Sequence, residues 1–536
     1  MPLRQENILP KKPVFNLCNI NFGAFYAKKG VIKMSVEKLK FFCNGEYVES
    51  KTDKWYDLHN PSTGEITGYA PCCTNEEVLA AVEAAKKAFP GWSSTPAIKR
   101  AQILYKVRDL LIEHMEELTR LVAEENGKVW SEAEGDVLKA KEGTELATQV
   151  PSLMMGESIM DASKGYDTVK YREPLGVFAG IVPVNFPAMI PFGWMTPTCV
   201  ACGNTIVLKA ASLTPRTALR IAELYKEAGM PDGVVNVVTC SRNEINTLLD
   251  HPDIKGITFV GSTPVGKLIY ERAARAGKRV QCLCQAKNHA LILADTPIER
   301  TVAGVINSAF GCAGQRCMAL SACVVEESIA DEFVAELKKQ AANVKVGCAY
   351  DKTSKLGPIT YKKHYDEVMA DIEKGIKEGA ELVIDGRNPK VDPGFENGYF
   401  VGPTVFDKVT PEMSIGTEEI FAPVLCIKRV KDFKEGLAVM NANPYANGSV
   451  IFTQNGYYAR EFVRHTDGGM VGVNVGIPVP IGFFPFAGHK NSFFGDLHCL
   501  GKDAYRFYTE SKCVTTRWFD EEEMKKTEVT TWDGTI

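Results

Sequence analysis

Nowhere in its 536 residues does the chain carry an apolar run approaching the ~18 residues that span a bilayer, so no membrane partner is expected. An excess of one charge is lacking as well. The 62 basic and 66 acidic side chains leave a net −4, which gives no electrostatic footprint for nucleic acid. Cysteine is sparse for a disulfide scaffold, sixteen residues in all, and no secretory signal opens the sequence, so the thiols are expected to be reduced. Cys199 and Cys202 have C-x-x-C spacing, and Cys282 and Cys284 lie two apart. No second ligand pair of matching spacing follows, so no metal is expected, and most of these thiols read as core residues. Internal repeats and low-complexity tracts are also missing.

What is present is the composition of a globular protein, 45% hydrophobic and 24% charged, in a chain long enough for two or three domains. The first 35 residues stand apart. They carry Arg4, Lys11, Lys12, Lys28, Lys29 and Lys33 against the single acid Glu6. That bias fits a mitochondrial transit peptide; the alternative is a disordered leader on a cytoplasmic protein, with Met34 as a second start.

Thr74 and Glu77 form a capping box that opens a helix with Val78, Val82, Ala85 and Phe89 on one face. A second helix is expected from about Ile98 to Glu125, stopped at Gly127. From Gly176 onward, short apolar runs such as "GVFAGIVPV", "NTIVLKA", "GVVNVV", "IKGITFV" and "LILAD" alternate with helical stretches. That alternation predicts an α/β fold with a parallel sheet. A second alternating block begins near Glu299. Residues 152–174 and the stretch after Phe493 have no evident place in either.

Three stretches suggest chemistry. In "SAFGCAGQRCMALSACVV", Cys317 follows Gly314 and Gln315 and adjoins Arg316, whose positive charge would favour a thiolate. Cys312 and Cys323 have no adjacent charge. In "GIVPVNFPAMIP", Asn185 follows a buried strand, at the carboxyl end where ligands of open α/β sheets bind, and its amide can donate to an oxyanion. In "TFVGSTPVGK", Gly261 and Gly266 lie between strand and helix, so Ser262 and the helix N-terminus can receive a pyrophosphate. Lys209 is a cation at the end of another strand.

Taken in order, these stretches and "EEIFAPV" resemble the aldehyde dehydrogenase superfamily, from about Ser35 to Trp518. Within it the chain is most similar to the CoA-acylating methylmalonate-semialdehyde dehydrogenase branch, through "HPDIKGITFVGSTP", "AGQRCMALS", "NGYFVGPT" and "SFFGDLH". The resemblance implies a Rossmann-type cofactor domain (36–151 and 175–282) and an α/β catalytic domain (283–473). It also implies a small β oligomerisation element, 152–174 with the tail 474–536, and hence a homodimer or homotetramer. It implies Cys317 as nucleophile and Asn185 as oxyanion donor. NAD would be held by the main chain at Val182 and Val184 and by Lys209, Ser212, Ser262, Glu419 and Phe421. Arg316 and Lys139 would meet the carboxylate of a small semialdehyde, and CoA would be the co-substrate. The implied products are propionyl-CoA or acetyl-CoA, with loss of carbon dioxide.

Several residues depart from that pattern. The position of the hydrolytic general base is Leu283, which has no proton acceptor; a thiol needs less activation than water, so CoA is the expected acyl acceptor. Cys284 and Gln285 stand where glycines are usual and are expected to crowd the nicotinamide site. Ser212 replaces an acid that grips the adenosine ribose, which bears on NAD against NADP. Lys139 replaces an arginine, Ala422 a glycine and Gly476 a proline, and Gly193 reads as a one-residue insertion. Such clustering admits a second reading, a catalytically weak or inactive paralogue with a structural role. A third, a hydrolytic dehydrogenase, needs another base.

Overall fold

The alternating apolar runs build two sheets, and the chain passes from one to the other in the four residues between Leu283 and Asn288. A computed structural model describes residues 36–527; the basic leader, and with it the targeting expectation, lies outside them. The first sheet has eight strands. In spatial order they are Phe493–Gly495, Arg279–Leu283, Ile254–Val260, Val177–Ile181, Thr205–Lys209, Val235–Val238, Phe41–Cys43 and Glu46–Val48. The five central ones are parallel, and the outer ones pair antiparallel. Ile181 pairs with Lys209, Lys209 with Val238, and Val260 with Leu283, so these strands end level with one another. Strand order reverses between Val177–Ile181 and Ile254–Val260, and a crevice at such a switch point is where open α/β sheets bind ligands.

The second sheet has seven strands: Glu381–Ile384, Thr404–Asp407, Val424–Val430, Leu320–Glu326, Asn288–Ile292, Gly448–Phe452 and Met470–Val473. All but the first pairing are parallel. The two segments with no evident place find each other. Glu157–Ser163 and Tyr166–Pro174 form a three-stranded sheet with Thr509–Arg517, in which Tyr166 pairs with Arg517 and Pro174 with Thr509.

The Thr74–Glu77 capping box is present, and Gly127, at φ 87°, ends its helix. The helix expected from Ile98 to Glu125 is two, Ala97–Glu113 and Met115–Asn126, broken at His114. Leu104, Val107, Leu111, Leu118 and Val122 are buried on both sides of the break, so the apolar stripe runs through it unmarked. Gly193 lies inside a π-helix, Ile190–Met195. A π turn holds one residue more than an α turn, so the insertion is accommodated there. The bulge presses on the helix Trp130–Ala147: a Cβ on Gly143 would collide with the Gly193 carbonyl.

Among the described residues no helix is long and apolar enough to cross a membrane, and no cluster of His, Cys, Asp and Glu could hold a metal. Every described cysteine is free, and all but Cys317 and Cys513 are buried.

Candidate active site

The carboxyl ends of the first sheet and the amino ends of the second meet, and the residues singled out above lie along that seam. Val182, Asn185, Lys209, Ser262 and Leu283 end or follow strands of the first sheet; Asn288, Cys317 and Glu419 begin or precede strands of the second. Hydrogen bonds cross it. The Asn185 amide donates to Gln315 O at 3.1 Å, and Ala286 N–H donates to Glu419 Oε1 at 3.0 Å.

Cys317 is partly exposed in the loop before Leu320–Glu326. Its carbonyl oxygen accepts the amides of Asn288 (2.9 Å) and Asn447 (3.1 Å), which fix the peptide that carries the thiol. The preceding turn is left-handed: Cys312, Ala313 and Gly314 all have φ between 50° and 68°. Two consecutive non-glycine residues there are strained by roughly 1–2 kcal/mol each, and packing against the Ala422 carbonyl helps to hold the loop.

The thiol is not activated at rest. Burial first, and then the Glu419 carboxylate, push it up to about 12, against opposing hydrogen bonds from the Cys317 and Met318 N–H groups and the Arg316 charge. The expectation that Arg316 lowers it is corrected in its weight. The guanidinium turns to Glu132, with Nη2 2.9 Å from Oε1, and the same oxygen accepts Cys312 N–H at 2.7 Å.

Burial raises Glu419 itself to about 7. Its charge therefore appears near neutral pH. Glu419→Gln should leave iodoacetamide alkylation of Cys317 unchanged below about pH 6, where Glu419 is already neutral, and raise it a few-fold above about pH 8. Equal alkylation rates across that range would show that Glu419 does not act on the sulfur.

Asn185 is held by a buried ion pair that the sequence did not announce. Lys128 Nζ donates to the Asn185 carbonyl oxygen and lies 2.7 Å from Asp136 Oδ2, over the Phe186 ring. Asp136 Oδ1 in turn accepts Met189 N–H at 2.7 Å. One signal was available: Asp136 falls on the apolar stripe of Ala133, Val137 and Ala140, where a carboxylate needs a partner. Val182 N–H donates to Lys209 O (3.1 Å), and the Val184 carbonyl accepts from Asn126 (2.9 Å) and Thr214 (3.2 Å), so the main chain along this wall is pinned.

The expected cofactor residues offer a matching set of groups. Among the described residues no carboxylate pairs with the Lys209 ammonium, which lies near the Cys240 and Cys72 thiols, and burial lowers its pKa. Ser262 caps no N–H of its helix, Thr263–Arg275. Glu419 presents a buried carboxylate, and Phe421, at φ 58°, lines a narrow cleft with Arg316, Asn288 and Glu419. An unpaired cation, a free hydroxyl at a helix start and an acid fit the phosphates and ribose hydroxyls of a dinucleotide. Ser212 lies beside the Tyr56 hydroxyl, which donates to Cys72 Sγ at 3.4 Å.

Cys284 and Gln285, the departures from glycine, pack on the first turn of Thr263–Arg275. A Cβ on Gly266 would strike Cys284 Sγ, and Gln285 Oε1 accepts Thr263 N–H at 3.1 Å. Arg316 and Lys139 are not brought together. Arg316 meets the helix Trp130–Ala147 at Glu132, about 10 Å along its axis from Lys139. Lys139 is exposed and paired with Glu142 at 2.6 Å.

Comparison with known proteins agrees with this geometry. Residues 47–514 match the aldehyde dehydrogenase family. Malonate-semialdehyde dehydrogenase 2 of Geobacillus kaustophilus is 49% identical over 90% of this chain and 99% of its own length. The structure of methylmalonate-semialdehyde dehydrogenase from Oceanimonas doudoroffii superposes with a TM-score of 0.89 at 40% identity, covering 91% of this chain and all of that one. A Sinorhizobium meliloti structure described as the same enzyme, in complex with NAD, also gives 0.89, at 38% identity over 91% and 99% of the two chains. With a family match spanning most of its length and a relative 49% identical over nine-tenths of it, the chain belongs to the aldehyde dehydrogenase family.

Proposed function

We propose that the protein oxidises malonate semialdehyde or methylmalonate semialdehyde to acetyl-CoA or propionyl-CoA, with NAD as oxidant, CoA as acyl acceptor and release of carbon dioxide. The relatives' names support the substrate class, and the NAD complex of a relative at 38% identity supports the cofactor. The observation that carries the choice of acceptor is Leu283: a buried hydrocarbon side chain stands at the base position, packed in the same core against which Cys317 rests.

Cys317 Sγ, once deprotonated, adds to the aldehyde carbon and makes a thiohemiacetal whose oxygen carries the negative charge. The Asn185 amide, through the N–H not given to Gln315 O, and the Cys317 N–H would hold that oxygen, with the Lys128–Asp136 pair fixing the Asn185 main chain. NAD, held by Lys209, Ser262 and Glu419, supplies a hydride acceptor when bound. Cys317 is then left as a thioester. With Leu283 offering no proton acceptor, water is not activated there. The carboxylate of that thioester leaves as carbon dioxide, its C–C bonding pair passing to the α-carbon as a thioester enolate that takes a proton from water. The CoA thiol, as thiolate, then attacks the acyl carbon, the acetyl or propionyl group moves to its sulfur, and Cys317 departs as thiolate. Arg316, by exchanging Glu132 for the substrate, provides positive charge for the carboxylate. The Glu157–Ser163, Tyr166–Pro174 and Thr509–Arg517 sheet, whose first strand is exposed, is the surface through which subunits would join.

The deciding experiment follows NADH absorbance with malonate semialdehyde and NAD, with and without CoA. Sustained turnover is expected only with CoA. In its absence a single turnover should leave an acyl group on Cys317. Sustained NADH formation without CoA would establish hydrolysis, and no NADH under either condition would favour the structural paralogue.

A further inference from the structure

The helix Thr263–Arg275 starts at the switch point of the first sheet, directly after the strand Ile254–Val260. Its first turn has few N–H groups to give. Pro264 has none, and the Thr263 N–H is donated to the side-chain oxygen of Gln285 at 3.1 Å. The contact is doubled, because Gln285 N–H donates to Thr263 Oγ1 at 3.3 Å. Thr263 Oγ1 is committed as a donor to Asn491 O at 3.0 Å. Next to it, Cys284 Sγ fills the space above Gly266.

The same segment reaches the other wall, where the N–H of the next residue, Ala286, donates to Glu419 Oε1 at 3.0 Å. Thr263 belongs to the first sheet's edge and Glu419 to the second's. Gln285 therefore sits at the seam, with its side-chain oxygen on a helix terminus and the next residue's N–H on the facing acid. A phosphate oxygen at the helix start and a hydroxyl at Glu419 would need those two positions.

We propose that the Gln285 side chain is an internal occupant of the dinucleotide cleft, holding the Thr263 N–H until NAD displaces it. The proposal rests on the reading of NAD as cofactor. Its consequence is that affinity is limited by how often this side chain lies aside, since a binding-competent fraction below one weakens apparent affinity in proportion. The departure from glycine at this position then acts by competition. Truncating the side chain should improve binding.

The test is calorimetric titration of NAD into the full-length protein without substrate, for wild type, Gln285→Ala and Gln285→Ser. Both variants are expected to bind NAD about five- to tenfold more tightly, while melting at a lower temperature without ligand because the Thr263 N–H has lost its acceptor. Unchanged affinity with a lower melting temperature would make Gln285 a helix cap only and overturn the proposal. Weaker binding would make it a ligand of the cofactor and overturn it equally. If neither wild type nor variants bind NAD, the cofactor reading fails and the proposal with it, a result distinct from equal affinities.

Discussion

Cys317→Ser should reduce NADH formation from the semialdehyde by roughly 10⁴-fold or more, because a serine hydroxyl with no neighbouring base cannot replace the thiolate. Nothing in the loop would rescue it. The left-handed turn, the Asn288 and Asn447 contacts and the Arg316–Glu132 pair all act on the backbone or on Arg316, and none supplies a proton acceptor to position 317. Mass spectrometry adds a second measurement. Wild type treated with aldehyde and NAD, without CoA, should gain one acyl group on the Cys317 peptide, and the serine variant none. Substantial NADH from the variant would mean that another residue is the nucleophile.

Lys128→Met should cost about 3–5 kcal/mol of stability, as expected when one member of a buried ion pair is removed and the other is left unpaired. Lys128 and Asp136 are 2% and 0% exposed, so water cannot take over. The sign of the pH dependence follows. Burial already raises the Asp136 pKa, with the Lys128 charge opposing it, so the variant's folded state holds that carboxyl protonated to still higher pH. A raised folded-state value means that stability falls as pH rises between the unfolded and folded values. The loss in urea midpoint should therefore be larger near about pH 8 than near about pH 5. Adding Asp136→Asn should recover part of it. Variant protein that remains folded should also lose activity, toward the roughly 10²–10³-fold attached to an oxyanion donor, since the Asn185 carbonyl has lost its anchor. A loss independent of pH would mean that Asp136 is not the residue left exposed to the fault.

Much of this arrangement could be read from the chain because buried parallel strands are written as unbroken apolar runs. Val177–Ile181 and Ile254–Val260 were evident for that reason. The break at His114 was not, since its two helices share one buried stripe. The three-stranded sheet was equally hidden: its third strand comes more than 300 residues after the other two and its outer strands are mostly exposed, so no burial pattern marks them. At the site, Cys317 and Asn185 stand in stretches whose glycines and strand ends suggest chemistry. Asn288, Asn447, Lys128 and Glu132 do not, because their roles come from partners brought close only by folding. Gln285 was noticed as a departure, but its effect could not be assigned until Thr263 and Glu419 were seen on either side of it.

The widened turn at Ile190–Met195 shows how a chain can lengthen without disturbing what it serves. A surplus residue in an ordinary helix rotates everything beyond it by about 100° and would carry Lys209 away from its strand neighbours. Swallowed within one loop of the spiral, it leaves the partnership of Ile181 with Lys209 untouched. The debt falls on a single point, where Gly143 and Gly193 touch backbone to backbone. A methyl group gained at either position would strike the facing backbone, Gly193 from one side and Lys139 from the other, and push the two helices apart.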